Sequence, residues 1–476
     1  YINFFEVCDR LAKEDGRIGM LVPRSFMFKR SFEDFREDFI GEKGTFDFLA
    51  EYGIGVLDNA TVRTVGTVVR SSESQNSDTE GSFLRLHDLE SEEKEEKFLT
   101  CAFEDSVDEN GVQRLYERKI SEFSMISGSP ISYWVPEALR ELYDSKIVLD
   151  AENGRVNAES LGAAKVGLQT GNDGRFLRYF WEADQDYWIP FAKGGEDAWM
   201  LPRVGLTVLW DEEGEEIKRY DGSRPQNRQH YFQESLTYTV AKEGGRRFGY
   251  LSSDSIFGHK GSVFIPSRSV WHVLSYLNSN LFTYLMLCQT PERMWEVGEI
   301  SKVPWYDDLG KIDPLEENSE EIIGLLLKLR EHDFESPYYT GPELLEPIVD
   351  SEPPEWYEHP HRTLMNSINS PSIEEQHGGE TSLRDLAITA AKRREWIQRE
   401  IEQRAAEIDQ VIFDHFDFND DEQQTVLQEI ALRTNNDPRA TPKYDPDSIT
   451  EPPENLDELL KDLLLHYTLK IVHKDD

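Results

Sequence analysis

Ile18 to Val22 is a short apolar run held between Gly16 and Pro23. A run this short, closed by proline, reads as a buried strand. Before it, residues 1 to 15 place Ile2, Phe5, Cys8 and Leu11 near one face among charged residues, which predicts an amphipathic helix stopped at Gly16. After it, Ser31-Phe-Glu-Asp34 carries a capping-box signature that opens a second helix. Thr45 to Glu51 and Val62 to Val69 read as further strands. Helix, strand, helix, strands is the order of the second half of an α/β sheet domain. No glycine-rich nucleotide loop occurs there: Gly53 and Gly55 are too few and lack a strand–loop–helix setting.

Residues 71 to 81 are polar and predict an exposed loop, and a domain boundary falls near residue 125. The chain then changes character. Leu161 to Phe180 is rich in glycine and carries Lys165, Arg175 and Arg178 with few acids. Lys193-Gly-Gly195, Arg224-Pro-Gln-Asn227 and the stretch 246 to 264, with Arg246, Arg247, His259, Lys260 and Gly261, continue the basic and glycine-rich theme. Ser269 to Leu287 predicts one apolar core helix. Residues 311 to 380 predict helices joined by long loops, with a mobile acidic segment at 366 to 380. Thr381 to about Phe413 is a long polar helix in which Ile397, Ile401, Ile408 and Ile412 recur. That spacing fits a short coiled coil or helical arm, or a helix packed on its own domain. Helices at 422 to 434 and 455 to 468 follow.

Charge sets the setting in which those basic stretches must work. Of 476 residues, 92 are Asp or Glu and 51 are Lys or Arg, a formal net charge of -41. Such a surface excludes a generic basic nucleic-acid binder, although it does not exclude a local basic groove. The acids are spread along the chain rather than held in a tail. This points to a protein kept soluble in concentrated salt, where the Debye length falls to about 3 Å. Cys8, Cys101 and Cys288 have no metal-like or disulfide spacing, which implies a reducing, cytoplasmic setting. No apolar run reaches the roughly 20 residues that span a bilayer. The first residue, Tyr1, lies inside an amphipathic pattern, so a fragment or truncated gene product is expected.

Tyr133, Trp134, Phe176, Tyr179, Trp188 and Phe191 could stack on a base taken out of a duplex, or simply pack a core. The DNA-binding candidates are Lys165, Gly167, Thr170, Asn172, Arg175, Arg178, Lys193, Arg224, Asn227 and Lys260. Glycine lets main-chain N–H groups approach a phosphate, arginine adds a bidentate fork, and asparagine can read a base edge. His359 and His361 have no third ligand at a metal-binding spacing, so a surface loop is expected and no metal is assigned. No nucleophile elbow or Cys/His pair is present.

The motifs also carry a resemblance. Gly16-Arg-Ile-Gly-Met-Leu-Val-Pro-Arg-Ser-Phe-Met-Phe-Lys-Arg-Ser-Phe-Glu-Asp-Phe-Arg36 resembles the segment downstream of the catalytic tetrapeptide in class I adenine-N6 DNA methyltransferases. Ser127-Gly-Ser-Pro-Ile-Ser-Tyr-Trp134, Val166-Gly-Leu-Gln-Thr-Gly-Asn-Asp-Gly-Arg-Phe-Leu-Arg178 and Lys193-Gly-Gly195 with Trp199 look like the PglX family of BREX phage-defence systems, in its haloarchaeal form. Arg224-Pro-Gln-Asn227, Tyr231-Phe-Gln-Glu-Ser-Leu-Thr237 and Phe257-Gly-His-Lys-Gly261 follow in the same order.

The resemblance implies an α/β plus mixed architecture. The rear of a Rossmann-like methyltransferase sheet would occupy 1–125, an α+β target-recognition domain 126–310, and a helical region 311–476. It implies S-adenosylmethionine as methyl donor, double-stranded DNA as substrate, and other BREX proteins as partners. The family's cofactor loop and Asn-Pro-Pro-Tyr-type tetrapeptide are not found from Tyr1 onward. Catalytic and cofactor residues are thus expected upstream, in a separately encoded half if one exists, and this chain alone should transfer no methyl group. Competing readings are the specificity part of a fused restriction-modification enzyme, a non-enzymatic DNA-binding or assembly protein, and a degraded gene product.

Overall fold

The computed structural model describes residues 2 to 472, apart from 14, 41–43, 58–60, 72–78, 184–186, 196, 292, 346–381, 435 and 441. His359, His361 and the acidic segment 366 to 380 therefore lie outside the described residues, as does most of the polar stretch 71 to 81. The ends of that stretch are strand rather than loop: Ser71 closes one strand and Glu80 opens the next. The chain forms two compact units. One holds Tyr1–Glu159, Tyr284–Glu292 and Gly298–Trp305, and the other holds Ser160–Thr283, Arg293–Val297 and Tyr306–Asp476.

The first unit is built on a five-stranded sheet. Helix α1 (Ile2–Leu11) precedes β1 (Arg17–Pro23), β2 (Gly44–Gly53), β3 (Thr64–Ser71), β4 (Glu80–Arg85), helix α2 (Lys94–Phe103) and β5 (Leu115–Lys119). The strand order is β1-β3-β2-β4-β5. β3 runs antiparallel to both β1 and β2, so β1 and β2 run the same way, and β2 pairs parallel with β4. Parallel strands need a crossover, and residues 24 to 40 supply it in 3-10 and π-helical turns.

The expected capping box at Ser31 does not form, because Lys29 holds the N-cap position and no side chain caps the turn. The buried Arg36 guanidinium organises this stretch instead. It donates to the carbonyls of Phe26 and Lys29 at 2.9 Å and of Gly128 at 2.8 Å.

Helix α1 forms as expected but ends at Leu11, and of the four residues expected on its inner face only Leu11 is exposed. Phe5 alone of its residues is fully buried, with its ring 5.4 Å from that of Phe35, while Leu11 is 80% exposed. Beneath the sheet Arg24 meets Glu51 at 2.6 Å, and Tyr133 donates to the same carboxylate at 2.6 Å.

The second unit is mixed. Its strands are β6 (Gly162–Lys165), β7 (Leu168–Gln169), β8 (Leu177–Tyr179), β9 (Trp188–Ala192), β10 (Leu206–Leu209), β11 (Arg224–Pro225), β12 (Ser235–Thr239), β13 (Phe248–Leu251), β14 (Ile256–Phe257) and β15 (Gly261–Pro266). They form a sheet of order β13-β12-β15-β6, a second of order β8-β10-β9-β14, and the pair β11-β7. Leu168, Phe176, Phe191, Val208, Phe257 and Val263 share one core between them.

The predicted helix from Ser269 to Leu287 is two helices, α3 (Val270–Leu277) and α4 (Asn280–Gln289). The break has a side-chain cause. Asn278 turns its amide onto the Phe248 backbone, accepting from its N–H at 3.1 Å and donating to its carbonyl at 2.9 Å. Ser279 Oγ then accepts from the Phe282 N–H at 3.1 Å and starts the second helix.

Helix α5 (Asp313–Arg330) packs on the long helix α6 (Leu383–His415), a 33-residue helix about 50 Å long. A capping box opens α6. Asp385 N–H donates to Ser382 Oγ at 3.2 Å, and Ser382 N–H donates back to Asp385 at 3.2 Å. Ile397, Ile401, Ile408 and Ile412 are all buried within this unit, so α6 is a packed helix and not a free arm. Helices at Asp420–Thr434 and Leu456–Val472 complete the fold. Among the described residues no helix is long and apolar enough to cross a membrane.

Candidate nucleic-acid interface

Four separate stretches of the second unit are drawn together by their backbones. β11 pairs with β7, placing Arg224 opposite Gln169. The His259 N–H donates to the Leu168 carbonyl at 3.0 Å. Gly167 passes so close to β14 that a Cβ there would stand 2.0 Å from the Phe257 carbonyl oxygen. Gly194, at φ +78°, runs against the next loop, where a Cβ would stand 2.2 Å from the Lys260 carbonyl carbon. These approaches require glycine at both positions.

The candidates lie within this packing in different ways. Lys193 meets the Asp173 carboxylate at 2.7 Å. Thr170 donates its hydroxyl to the same carboxylate. The Lys193 and Thr170 hydrogen bonds hold Asp173 below the usual carboxylate range, and the nearby charge of Lys260 adds to the effect. Asn172 caps the short turn Asp173–Phe176 by accepting from the Arg175 N–H at 3.1 Å. Asn227, at φ +54°, donates its amide to the Val166 carbonyl at 2.9 Å and so fixes the loop instead of projecting from it.

Arg175 meets Glu216 at 2.7 Å and lies over the rings of Phe176 and Tyr220. Arg178 folds back to the Leu177 carbonyl at 2.6 Å with its guanidinium over Trp188. Lys165 is half-buried on β6, opposite Val263. Arg224 and Lys260 are exposed, and neither side chain has a hydrogen-bond partner among the described residues. The adjacent basic pair divides: Arg246 pairs with Glu402 at 3.1 Å, while Arg247 is fully buried.

Most of the aromatic candidates are core. Tyr133 and Trp134 are buried in the first unit, and Phe176 and Phe191 in the second, so none of these four offers a free face. Tyr179 differs. It is 51% exposed and stacks on Trp181, itself 52% exposed, with ring centres 4.6 Å apart. Trp181 was missed from sequence. The signal was the out–in–out alternation of Tyr179, Phe180 and Trp181 at the end of a strand, with only Phe180 buried.

No cradle for S-adenosylmethionine is formed by the described residues. Gly53 and Gly55 take positive φ after β2, but the chain continues to strand β3 rather than into a helix whose N-terminus could face the cofactor.

No family model matches the chain. It is 23% identical over 330 residues to the adenine-specific methyltransferase PglX of Lacticaseibacillus casei (strain Zhang), covering 63% of this chain and 26% of the relative. It is 26% identical over 323 residues to the adenine-specific methyltransferase BrxX of Escherichia coli O9:H4 (strain HS), covering 64% of this chain and 25% of the relative. The chain is homologous to adenine-specific methyltransferases. It spans about a quarter of the length of these curated relatives. Among solved structures, the type IIG restriction endonuclease BpuSI aligns with TM-score 0.28 at 16% identity, over 67% of this chain and 44% of that one. The type IIL restriction-modification enzyme MmeI in complex with DNA aligns with TM-score 0.37 at 12% identity, over 83% of this chain and 50% of that one.

Proposed function

We propose that the chain is part of a site-specific adenine-N6 DNA methyltransferase of the PglX type, acting in phage defence with other BREX proteins. In this reading the first unit is the rear of a Rossmann-like catalytic sheet, and the second unit carries target recognition followed by the helical region. Residues 162 to 178 and 224 to 261 face double-stranded DNA. The observation that carries the reading is the convergence of Lys193, Lys260 and Arg224 through glycine-dependent backbone packing, in a chain whose net charge is -41.

The first unit supports the same reading. β1 is an edge strand, with Leu21 48% exposed. On α1, Phe4, Val7 and Leu11 are all exposed at helical spacing. Among the described residues β1 has no strand partner other than β3, and an unpaired strand edge and an exposed apolar stripe are each surfaces made to be covered. We assign it to the remaining strands of the methyltransferase sheet, which would bring the S-adenosylmethionine loop and the adenine-holding tetrapeptide. Attack by N6 depends on alignment of the reacting atoms, so the acidic C-terminal chain contributes placement of the DNA rather than chemistry.

The test is transfer of a tritiated methyl group to duplex DNA in concentrated salt. The chain alone should transfer none, and the chain with its methyltransferase half should transfer at a specific adenine. Equal transfer at the same sites by that half without this chain would overturn the proposal.

A further inference from the structure

The Tyr179 and Trp181 rings are parallel to within 2° and stand at one wall of a cleft of about 460 Å³ in the second unit. That volume lies within the roughly 300–1,000 Å³ of small-ligand pockets. Lys193, Gly194, Gly195 and Arg203 line the cleft with them, as do the carboxylates of Asp197 and Glu335. Gly195 takes φ +97°, and a Cβ there would meet nothing within 4 Å, so its backbone is open to close approach. Arg203 is anchored by Asp333, with its side chain 39% exposed.

We propose that this cleft holds one unstacked nucleotide, its base on the Tyr179–Trp181 ladder and its phosphate toward Lys193 and the Gly194–Gly195 backbone. The inference rests on the DNA-facing reading above and names what that face takes besides duplex backbone. Two rings already parallel present a flat face that rewards another flat ring and gives an aliphatic group little. A cation and the open backbone of Gly195 beside that face suit the phosphate attached to such a ring. A nucleotide displaced from a duplex and a free nucleotide share this chemistry.

The experiment uses the full chain and three probes in one salt: a perfect duplex, the same duplex with a single unpaired nucleotide, and dAMP. Binding is read by anisotropy for the duplexes and by equilibrium dialysis for dAMP. The unpaired nucleotide should tighten binding over the perfect duplex by about fivefold or more, the scale of one base–aromatic stack. Trp181→Ala should erase that gain, while Trp181→Phe should keep most of it. Binding of dAMP that Trp181→Ala abolishes, with no gain on the bulged duplex, assigns the cleft to a free nucleotide.

The inference is overturned if Trp181→Ala changes no nucleotide affinity, which would leave the ring pair to a protein partner. Failure of every duplex to bind would instead count against the DNA-facing reading, and the dAMP arm would still decide the cleft.

Discussion

The Lys193 ammonium lies 2.7 Å from the Asp173 carboxylate, joining two loops twenty residues apart in sequence into one surface. The pair is half exposed, so its own energy is small. Its importance is geometric. It holds the turn capped by Asn172 beside the loop where Gly194 runs against Lys260.

Gly194→Ala should therefore damage both the fold and the surface. The substitution puts a side chain at φ +78° and 2.2 Å from the Lys260 carbonyl carbon. A cost on the order of 1–3 kcal/mol is expected, read by denaturant unfolding. Gly195→Ala, at φ +97° but facing open space, should cost less. Equal stability of Gly194→Ala and the parent would show that the two loops do not pack as described.

Arg247 sits 3.6 Å from the centre of the Trp295 ring with its side chain fully buried. Its guanidinium donates to the carbonyls of Thr239, Val240, Lys242, Gly244 and Arg293. Burial lowers its pKa to about 9, so it remains charged at neutral pH. Arg247→Met should cost about 3–5 kcal/mol, because several buried carbonyls lose their donor at once. Thermal unfolding of the variant checks this, and a loss under about 1 kcal/mol would contradict the structural role.

Asp409 gives a pH signature of definite sign. Burial raises its pKa from 3.8 to about 6, against the opposing effects of Arg246 and the Asn280 N–H. The folded state thus holds the proton more tightly than the unfolded chain. The contribution of Asp409 is most favourable below about pH 4 and is lost as pH rises through about 6, a change on the order of 3 kcal/mol. Asp409→Asn should remove that slope, so the stability difference between parent and variant should change across this window. A constant difference from pH 4 to 7 would contradict the buried carboxyl.

What could be read in the sequence follows from what is local. The runs Ile18–Val22, Thr45–Glu51 and Val62–Val69 announced strands because each is short, apolar or β-branched, and the four isoleucines of α6 announced its buried face. The break between α3 and α4 was not legible, since the apolar run continues through it and only the Asn278 amide, bonded to distant Phe248, ends the first helix. Arg246 and Arg247 looked alike as neighbours in a basic patch, yet one pairs with Glu402 and the other is fully buried. The arrangement of the candidate residues was not legible, because Lys193, Asp173 and Lys260 are far apart in sequence and come together only through the Lys193–Asp173 ion pair and the approach of Gly194 to Lys260.

The central claim, that this locally basic surface faces DNA, is tested most directly by the salt dependence of duplex binding in the double variant Arg224→Ala/Lys260→Ala. Two lost phosphate contacts should make the plot of log Kobs against log salt shallower by about two and weaken binding at every salt concentration. A slope and affinity equal to those of the parent chain would contradict the account.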